Sequence, residues 1–446
     1  MPGRKLCQRG LLRASSVLGP ALRLSLEAAG LAGGRFCDVL ASSPPVGVAV
    51  VPTGVVCAKT APLESANNTA ISSRLGMAGG TLDGREDPDY SAVAAALQGR
   101  FGDNRPMPAP APLTPSSLAE GSRADAERDL LLRLAAGAVS GHQLAKALGV
   151  TRAAIWKRID ALRDAGIDID ARAGAGYLLA QPLDLLDAAA ILARLDPVPR
   201  ALLAELAVAW EVGSTNSVLL AQAAPLEGAR VLLAERQTGG RGRLGRDWRS
   251  PLAANLYLSL DRHFSGGLAR LPGLSLVAGI ASAEALRAVT GLDIGLKWPN
   301  DLWLDGRKLG GLLVEGGGEH GAPARAVIGL GLNVRMPASH GSRIGQPWID
   351  LAARLSMVPA RNALAAALVS AWLPALQSFD RDGLTPFLSR WQALDVLAGR
   401  TIRVHAGQGA EEVEALGVSA DGGLRVRDAA GERVLYAGEV SVRPHA

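Results

Sequence analysis

The sequence predicts an α+β protein with three folded parts. These are an N-terminal winged helix-turn-helix over residues 124–181, a central α+β domain over 182–394 and a C-terminal all-β module over 395–446. Three patterns predict this. Apolar residues at helical spacing give way after Ala165 to an alternating hairpin; strand-length apolar runs then interleave with long helical stretches; and the final segment breaks repeatedly at Gly, Asp or Ala.

Composition limits the function classes. A chain of 446 residues with 48% hydrophobic content holds two or three domains with cores. No uninterrupted apolar run approaches the roughly 20 residues of a membrane span, so a soluble, cytoplasmic protein with no membrane partner is expected. The net charge of +5 describes mainly one end, where Arg4, Lys5, Arg9, Arg13, Arg23 and Arg35 face a single acid, Glu27. It licenses no nucleic-acid claim by itself. Cys7, Cys37 and Cys57 all precede residue 60, which leaves no disulfide framework and no thiol chemistry for the remainder.

Residues 1–123 keep no hydrophobic period and end in "RPMPAPAPLTPSS". An Arg-rich, acid-poor start is also the pattern of an organelle transit peptide. The plainer reading, a disordered extension or a start codon set too far upstream, is the one adopted.

Order begins near Arg123. "ADAERDLLLRLAAG" places leucines at helical spacing, and "SGHQLAKALGVTRAAIWKRIDALRDAGIDIDARAGAGYLL" follows. This predicts a helix from Gly141 to Leu148, a turn at Gly149, and a second helix from its N-cap Thr151 to about Ala165. Leu144, Leu148, Val150, Ile155, Ile159 and Leu162 face inward, and "IDIDARAGAGYLL" alternates around a glycine turn in the position of a wing. The outer side of the second helix carries Arg152, Lys157, Arg158 and Arg163. With Thr151 and Trp156 these form the candidate DNA-binding surface, suited to phosphates and to base edges in a major groove. A helical module packed on a partner, its charges merely solvated, is the alternative. Trp156 stays open between a DNA contact and an aromatic half-buried under the wing.

Between "VLLAE" and "ANLYLSL", both of strand character, lies "ERQTGGRGRLGRDW" (235–248), with four arginines and four glycines. Gly239, Gly240, Gly242 and Gly245 permit positive φ and close backbone approach, while Arg241, Arg243 and Arg246 stay ionised and grip carboxylate or phosphate at two points. Such a loop is expected to be mobile when empty and ordered by an anion. Its spacing is neither a Walker loop nor GxGxxG, so a nucleotide-type site of another kind is expected.

The loop, with "KWPNDLWLDGRKLGGLLVE" (297–315), "GSTN" (213–216) and "IGLGLNV" (328–334) behind a winged helix, resembles the bifunctional biotin–protein ligase and biotin operon repressor family from about residue 125 to 446. The resemblance implies an enzyme, a biotin–[acetyl-CoA-carboxylase] ligase. It would use ATP and Mg2+ to make biotinyl-5'-AMP and pass biotin to a lysine of a biotin carboxyl carrier protein. It also implies a repressor that binds operator DNA as a ligand-promoted homodimer. The central domain would carry a mixed sheet resembling class II aminoacyl-tRNA synthetases, and the C-terminal module would be an SH3-like barrel that assists ATP binding or carrier docking.

By the same resemblance Ser214, Thr215, Asn216, Gln237, Arg241, Gly242, Arg243 and Lys308 hold biotin. Arg243, Arg246, Trp248, Lys297, Asn300 and Asn333 hold ATP or the adenylate, and Arg243, Lys308, Arg246 and Asp301 are catalytic, with Asp301 the candidate magnesium ligand. Hydroxyls and amides suit a buried ureido ring, whose unpaired polar groups would cost roughly 1–3 kcal/mol each. "GSTN" also reads as a helix N-cap, and both roles can coexist. Trp248 is open between adenine stacking and core packing. Leu244 and Asp247 stand where some relatives carry basic residues. The reaction needs no Ser, Cys or His nucleophile, because the substrate's carboxylate and the acceptor's lysine attack. Two alternatives remain. One is a transcription factor that senses the adenylate without ligase turnover, disfavoured by intact Arg241, Arg243 and Lys308. The other is a lipoate or other acyl-carrier ligase, disfavoured by the arginine–glycine loop and the winged helix.

Overall fold

The computed structural model describes residues 112–113, 121–318, 323–406, 409–436 and 440–444. The expectations for the three cysteines and for most of residues 1–120 lie outside the described residues.

The winged helix forms as its sequence dictates. Helices α1 (Ser122–Ala135), α2 (Gly141–Ala147) and α3 (Arg152–Asp164) are followed by the hairpin β1 (Ile169–Arg172) and β2 (Gly176–Leu179). Ser140 and Gln143 close a capping box on α2, and the Thr151 hydroxyl accepts the Ala154 N–H at 3.1 Å to start α3. Gly149 takes a left-handed φ of 64° in the turn. Leu144, Ile155, Ile159 and Leu162 are fully buried with Leu130 and Leu131. Trp210 and Leu252, supplied from beyond residue 200, complete this cluster. Helix α1 begins at Ser122, as expected, but one detail differs: the Leu113 N–H already donates to Glu205 Oε1 at 2.7 Å while its side chain packs beside Ala209, Val212 and Leu219.

After α4 (Ala188–Leu192) and α5 (Pro197–Ala201) the central elements run β3 (Leu203–Val212), α6 (Thr215–Leu220), β4 (Ala229–Gln237), β5 (Leu256–Phe264), α7 (Leu274–Thr290), β6 (Gly295–Lys297), β7 (Asp301–Leu304), β8 (Arg307–Gly317), β9 (Ala324–Leu332), α8 (Ala338–Gly341), α9 (Arg361–Asp382) and α10 (Leu388–Leu394). The strands join in the order β3-β4-β5-β9-β8-β7-β6, with β3 and β4 parallel and the other neighbours antiparallel. The sheet is therefore mixed. Helices α7 and α9 cover one face and bury Val277, Ile280, Leu368 and Trp372 against it. Both are long and apolar enough to cross a membrane by length and composition, but more than half of the α7 window and half of the α9 window are buried inside the protein, as core helices are. Short α6 lies against β5, β9 and β4.

The C-terminal module pairs β10 (Thr401–Ala406), β11 (Gly409–Val418), β12 (Leu424–Asp428), β13 (Gly431–Leu435) and β14 (Val440–Pro444) in the antiparallel order β13-β12-β11-β10-β14. These are the five short strands the sequence predicts. Trp298 of the central domain donates its indole N–H to Gly422 O at 3.0 Å, and the Val396 N–H reaches Leu296 O at 3.0 Å along the β6 edge.

Glu235 and Arg361 tie the linker before α4 to the sheet. Both are almost fully buried, 2.8 Å apart; Glu235 also accepts the Leu186 N–H, and the Arg361 guanidinium donates to Asp184 O and Asn255 O. Burial pushes the Glu235 carboxyl above its ordinary range, with Arg361 opposing. Glu235→Ala would leave a buried cation without its carboxylate, so urea unfolding should show a loss of about 3–5 kcal/mol; a loss below about 1 kcal/mol would mean that the pair does not hold this junction.

Candidate active site

A cavity of about 650 Å³ opens over the sheet between the arginine–glycine loop, the N-terminus of α6, the β6–β7 turn and the segment before Trp348. Its floor is bare backbone. A Cβ on Gly331 would stand 2.2 Å from the Trp248 ring, and one on Gly329 2.4 Å from Asn216 Oδ1. No other residue type fits either position without displacement.

One end of the cavity is a neutral hydrogen-bonding network. Ser214, Thr215 and Asn216 are buried at the start of α6. Gln237 Oε1 accepts from the Thr215 N–H (2.9 Å) and hydroxyl (3.1 Å), while the Ser259 hydroxyl lies 2.7 Å from Thr215 Oγ1 and 2.6 Å from Asn216 Oδ1. Asn216 Nδ2 donates to Glu315 at 2.8 Å. Ser214 holds the N-cap position but makes no side-chain cap bond, so the capping role expected for "GSTN" is not taken up and its hydroxyl stays on the cavity wall.

The loop itself is a tight hairpin. The Gly242 N–H donates to Arg246 O at 2.6 Å, and the Trp248 N–H to Gly240 O at 2.9 Å. Of its glycines only Gly245 has positive φ; Gly239 and Gly240 are required by close approach, with Gly240 lacking room for a Cβ 2.7 Å from Trp248 O. Leu244, at φ 57°, takes the other left-handed position and is 69% exposed. Arg241 turns back to Ser217 Oγ and Glu315, whereas Arg243 reaches Asn300 Oδ1 at 3.2 Å. Burial lowers the Arg243 guanidinium from its ordinary value and the Arg246 charge lowers it further; Asp301 opposes both.

Lys308 Nζ sits 2.8 Å from Asp301 Oδ1 and 5.6 Å from the Trp248 ring centre, and Lys297, buried, lies 4.8 Å over the Trp303 ring. The Trp248 indole N–H is buried and has no acceptor among the described residues. A buried donor without a partner is uncommon in a folded protein, and this one lies against the Gly331 floor, 2.4 Å from where a Cβ there would stand.

The structure therefore gathers Ser214, Thr215, Asn216, Gln237, Arg241, Gly242, Arg243, Arg246, Trp248, Lys297, Asn300, Asp301 and Lys308 on one wall. One expectation does not hold. Asn333 lies off the wall, its amide nitrogen donating to Ile349 O at 3.1 Å. Asp301, the candidate magnesium ligand, is a single carboxylate 2.8 Å from Lys308 Nζ on the cavity wall; one carboxylate with substrate phosphates and waters is the usual setting of a nucleotide-bound magnesium ion, which this residue would fit. Sequence reasoning missed Ser259, Glu315, Gly345–Pro347 and Arg400. The alternate glycines of "GLGL" were the available signal for the bare floor.

On the winged helix, Arg152 and Lys157 are exposed and Arg158 half-buried on one side of α3, and Trp156 is 56% exposed, so it does not lie under the wing. Thr151 spends its hydroxyl on the cap. Arg163 departs from expectation, since its guanidinium donates twice to Ile169 O (3.1 and 2.8 Å) and braces the wing.

The chain is similar to known proteins in three segments. Family models described as the biotin/lipoate A/B protein ligase family, an HTH domain and the biotin protein ligase C-terminal domain match residues 211–333, 127–178 and 398–443. The bifunctional ligase/repressor BirA of Escherichia coli (strain K12) is 40% identical over 306 residues, covering 68% of this chain and 92% of that protein. The same-named protein of Bacillus subtilis (strain 168) is 28% identical over 309 residues, covering 68% and 94%. A solved biotin protein ligase from Aquifex aeolicus in complex with biotin and ATP is 26% identical and covers 54% of this chain and 100% of its own, with a TM-score of 0.47. Three matching segments in order, and near-complete coverage of a relative at 40% identity, place this chain in the family of bifunctional biotin ligase/repressors.

Proposed function

We propose that the protein is an ATP-dependent biotin–protein ligase and a biotin-responsive DNA-binding repressor. The carrying observation is the junction of two chemistries in one cavity: the Ser214–Thr215–Asn216–Gln237 network meets the Arg243–Lys308 cations over a floor with no side chains. The network suits the ureido ring. The cations suit a carboxylate and an α-phosphate brought together.

In the first half-reaction the biotin carboxylate attacks the α-phosphorus of ATP and pyrophosphate leaves. Arg243 and Lys308 hold the two anions within reach of each other and stabilise charge on the phosphoryl oxygens. Asp301 and Asn300 keep those two cations aimed before substrate arrives. In the second half-reaction the carrier lysine attacks the biotinyl carbonyl and AMP departs. The Trp248 ring, seated on Gly331 at the cavity wall, offers a flat surface to the adenylate.

The central mixed sheet is read as related to class II aminoacyl-tRNA synthetases, the C-terminal five-stranded sheet as an SH3-like barrel, and the boundaries as near 124, 182 and 395. A biotin carboxyl carrier protein and operator DNA are the partners, a ligand-promoted homodimer is the repressing form, and the cytoplasm is the compartment of both.

Purified protein with ATP and a biotin carboxyl carrier protein should incorporate labelled biotin and not lipoate; incorporation of lipoate alone would overturn the reading. Arg243→Ala and Lys308→Ala should each slow ATP–pyrophosphate exchange by a factor on the order of 100, as expected for removal of an oriented charge, with unfolding unchanged. Exchange at the parent rate in either variant would remove the role given to that residue.

Gly331→Ala pushes a methyl group into the Trp248 ring. Calorimetric titration should show biotinyl-5'-AMP binding weakened by about tenfold or more, because one Cβ moves a wall of the site. On the DNA side, Lys157→Ala should weaken a gel shift in the presence of biotin and ATP and flatten its salt dependence by about one phosphate contact, with ligation intact. An unchanged salt slope would take α3 off the DNA.

A further inference from the structure

Beside the Arg243–Lys308 pair the cavity lining includes two groups of unlike charge. One is Gly345, Gln346 and Pro347, which carry no charge and are fixed by the Lys308 N–H through Pro347 O at 3.1 Å. The other is Lys297 and Asn300 at the β6–β7 turn with Val396 and Arg400, brought to the β6 edge by the Val396 N–H to Leu296 O bond. A nucleoside is neutral and a triphosphate tail is strongly anionic. Electrostatics therefore sends the nucleoside toward Gly345–Pro347 and the tail toward Lys297 and Arg400.

Most wall cations already have a neighbour that fixes them. Arg241 is held by Glu315, Lys308 by Asp301 and Arg243 by Asn300, and Lys297 lies over Trp303. Arg246 and Arg400 are not fixed in this way; Arg246 rides on the loop, whereas Arg400 stands on the C-terminal module. The Arg400 side chain is exposed and makes no hydrogen bond or ion pair among the described residues, yet its backbone is rigidly placed: the N–H donates to Leu397 O and the carbonyl accepts from Ala415 N, each at 3.0 Å, between the fully buried Leu397 and Ile402. The segment bearing it is fastened to the sheet by Val396 N–H to Leu296 O, and the module behind it by the Trp298–Gly422 bond. The C-terminal module thus brings an uncommitted cation on a fixed base to the anionic end of the cavity.

We propose that Arg400 contacts the pyrophosphate portion of ATP and stabilises it as the leaving group of adenylation, an inference that rests on the ligase reading above. In that step a biotin carboxylate oxygen bonds to the α-phosphorus, the bond from that phosphorus to the α,β-bridging oxygen breaks, and the electron pair departs on pyrophosphate. No proton need move. The charge that Arg400 meets is the one created on the departing oxygen. Biotinyl-5'-AMP carries no pyrophosphate, so Arg400 has no part in transfer to the carrier lysine. The C-terminal module would then serve the first half-reaction and not the second.

The test is Arg400→Ala beside Arg400→Gln, with the full chain. ATP–pyrophosphate exchange is measured against ATP, pyrophosphate and biotin, and transfer to the carrier protein is measured from chemically prepared biotinyl-5'-AMP. The expected result is about a tenfold or greater loss in kcat/KM for ATP and a comparable rise in the pyrophosphate concentration needed for exchange, with KM for biotin and transfer from the preformed adenylate within twofold of the parent. Arg400→Lys should recover part of the loss. ATP and pyrophosphate kinetics within twofold of the parent in both variants would overturn the proposal, as would an equal loss in adenylate transfer, which would assign Arg400 to carrier docking. Absence of exchange in the parent would sink the ligase reading itself, and this inference with it. If Arg400→Ala unfolds, the same criteria apply to Arg400→Gln.

Discussion

Two positions on β9 carry no side chain, and the shape of the cavity depends on that. Gly329 and Gly331 lie two residues apart and so face the same side of the strand. Gly311 of β8 pairs in register with Gly331, and its own missing Cβ would lie 3.1 Å from Lys308 Nζ. The sheet is thus bare across two strands. Trp248 and Asn216 rest directly on backbone, and the loop and α6 come low enough for Glu315 to hold both Asn216 and Arg241. Glycine weakens a strand by entropy and lost packing. That cost is offset on the opposite face, where Ile328, Leu330 and Leu332 are packed into the main core under α7 and α9.

Electrostatics follows from this floor. Arg241, Arg243, Arg246, Lys297, Lys308 and Arg400 share the wall with only Asp247 and Asp301 as carboxylates. Crowded cations without substrate would repel one another, and the lowered Arg243 shows that pressure from burial and from Arg246. Glu315 and Asp301 relieve it by pairing with Arg241 and Lys308, and the neutral Asn300 amide oxygen accepts from Arg243. An arriving anion competes for groups already aimed, so little reorganisation is left for the reaction itself. The position of Leu244 fits the same economy: it is a non-glycine residue in left-handed backbone at the loop tip, a conformation that costs of order 1–2 kcal/mol and persists only where its surroundings fix it.

What the sequence made legible were the local rules. Thr151 caps α3 because Ser and Thr satisfy free helix amides, and the apolar positions of α3 lie three and four apart, so helix, turn and wing could be read directly. The arginine–glycine loop was readable because two strand-like runs bracket it. Illegible were the partners brought from far away. Nothing near Arg163 indicates that Ile169 O will claim its guanidinium, and nothing near Asn333 points to Ile349 O sixteen residues on. Ser214 occupies a capping position without capping, and the first helix amide, that of Thr215, is taken by the distant Gln237 side chain instead. Arg400 is one cation among many in the sequence, and only the β6 edge contact of Val396 brings it to the cavity.

The junction between winged helix and central domain bears on how the loop can move. Just before Gln237, Arg236 pairs with Glu127 of α1 at 3.0 Å, an acid that also accepts the Trp210 indole N–H at 2.8 Å. Just after Ser250, the Leu252 N–H donates to Ala165 O at 2.8 Å, and Gly166 beside it leaves no room for a Cβ, which would stand 2.8 Å from Pro251. Both ends of the arginine–glycine segment are therefore fixed against the same small domain, one at α1 and one at the end of α3. The opposite bank is tied there too, since His340 of α8 lies 3.0 Å from Asp164 O. Closure over a ligand must then be confined to the few residues between these anchors. That is where the glycines and the three arginines of the loop lie.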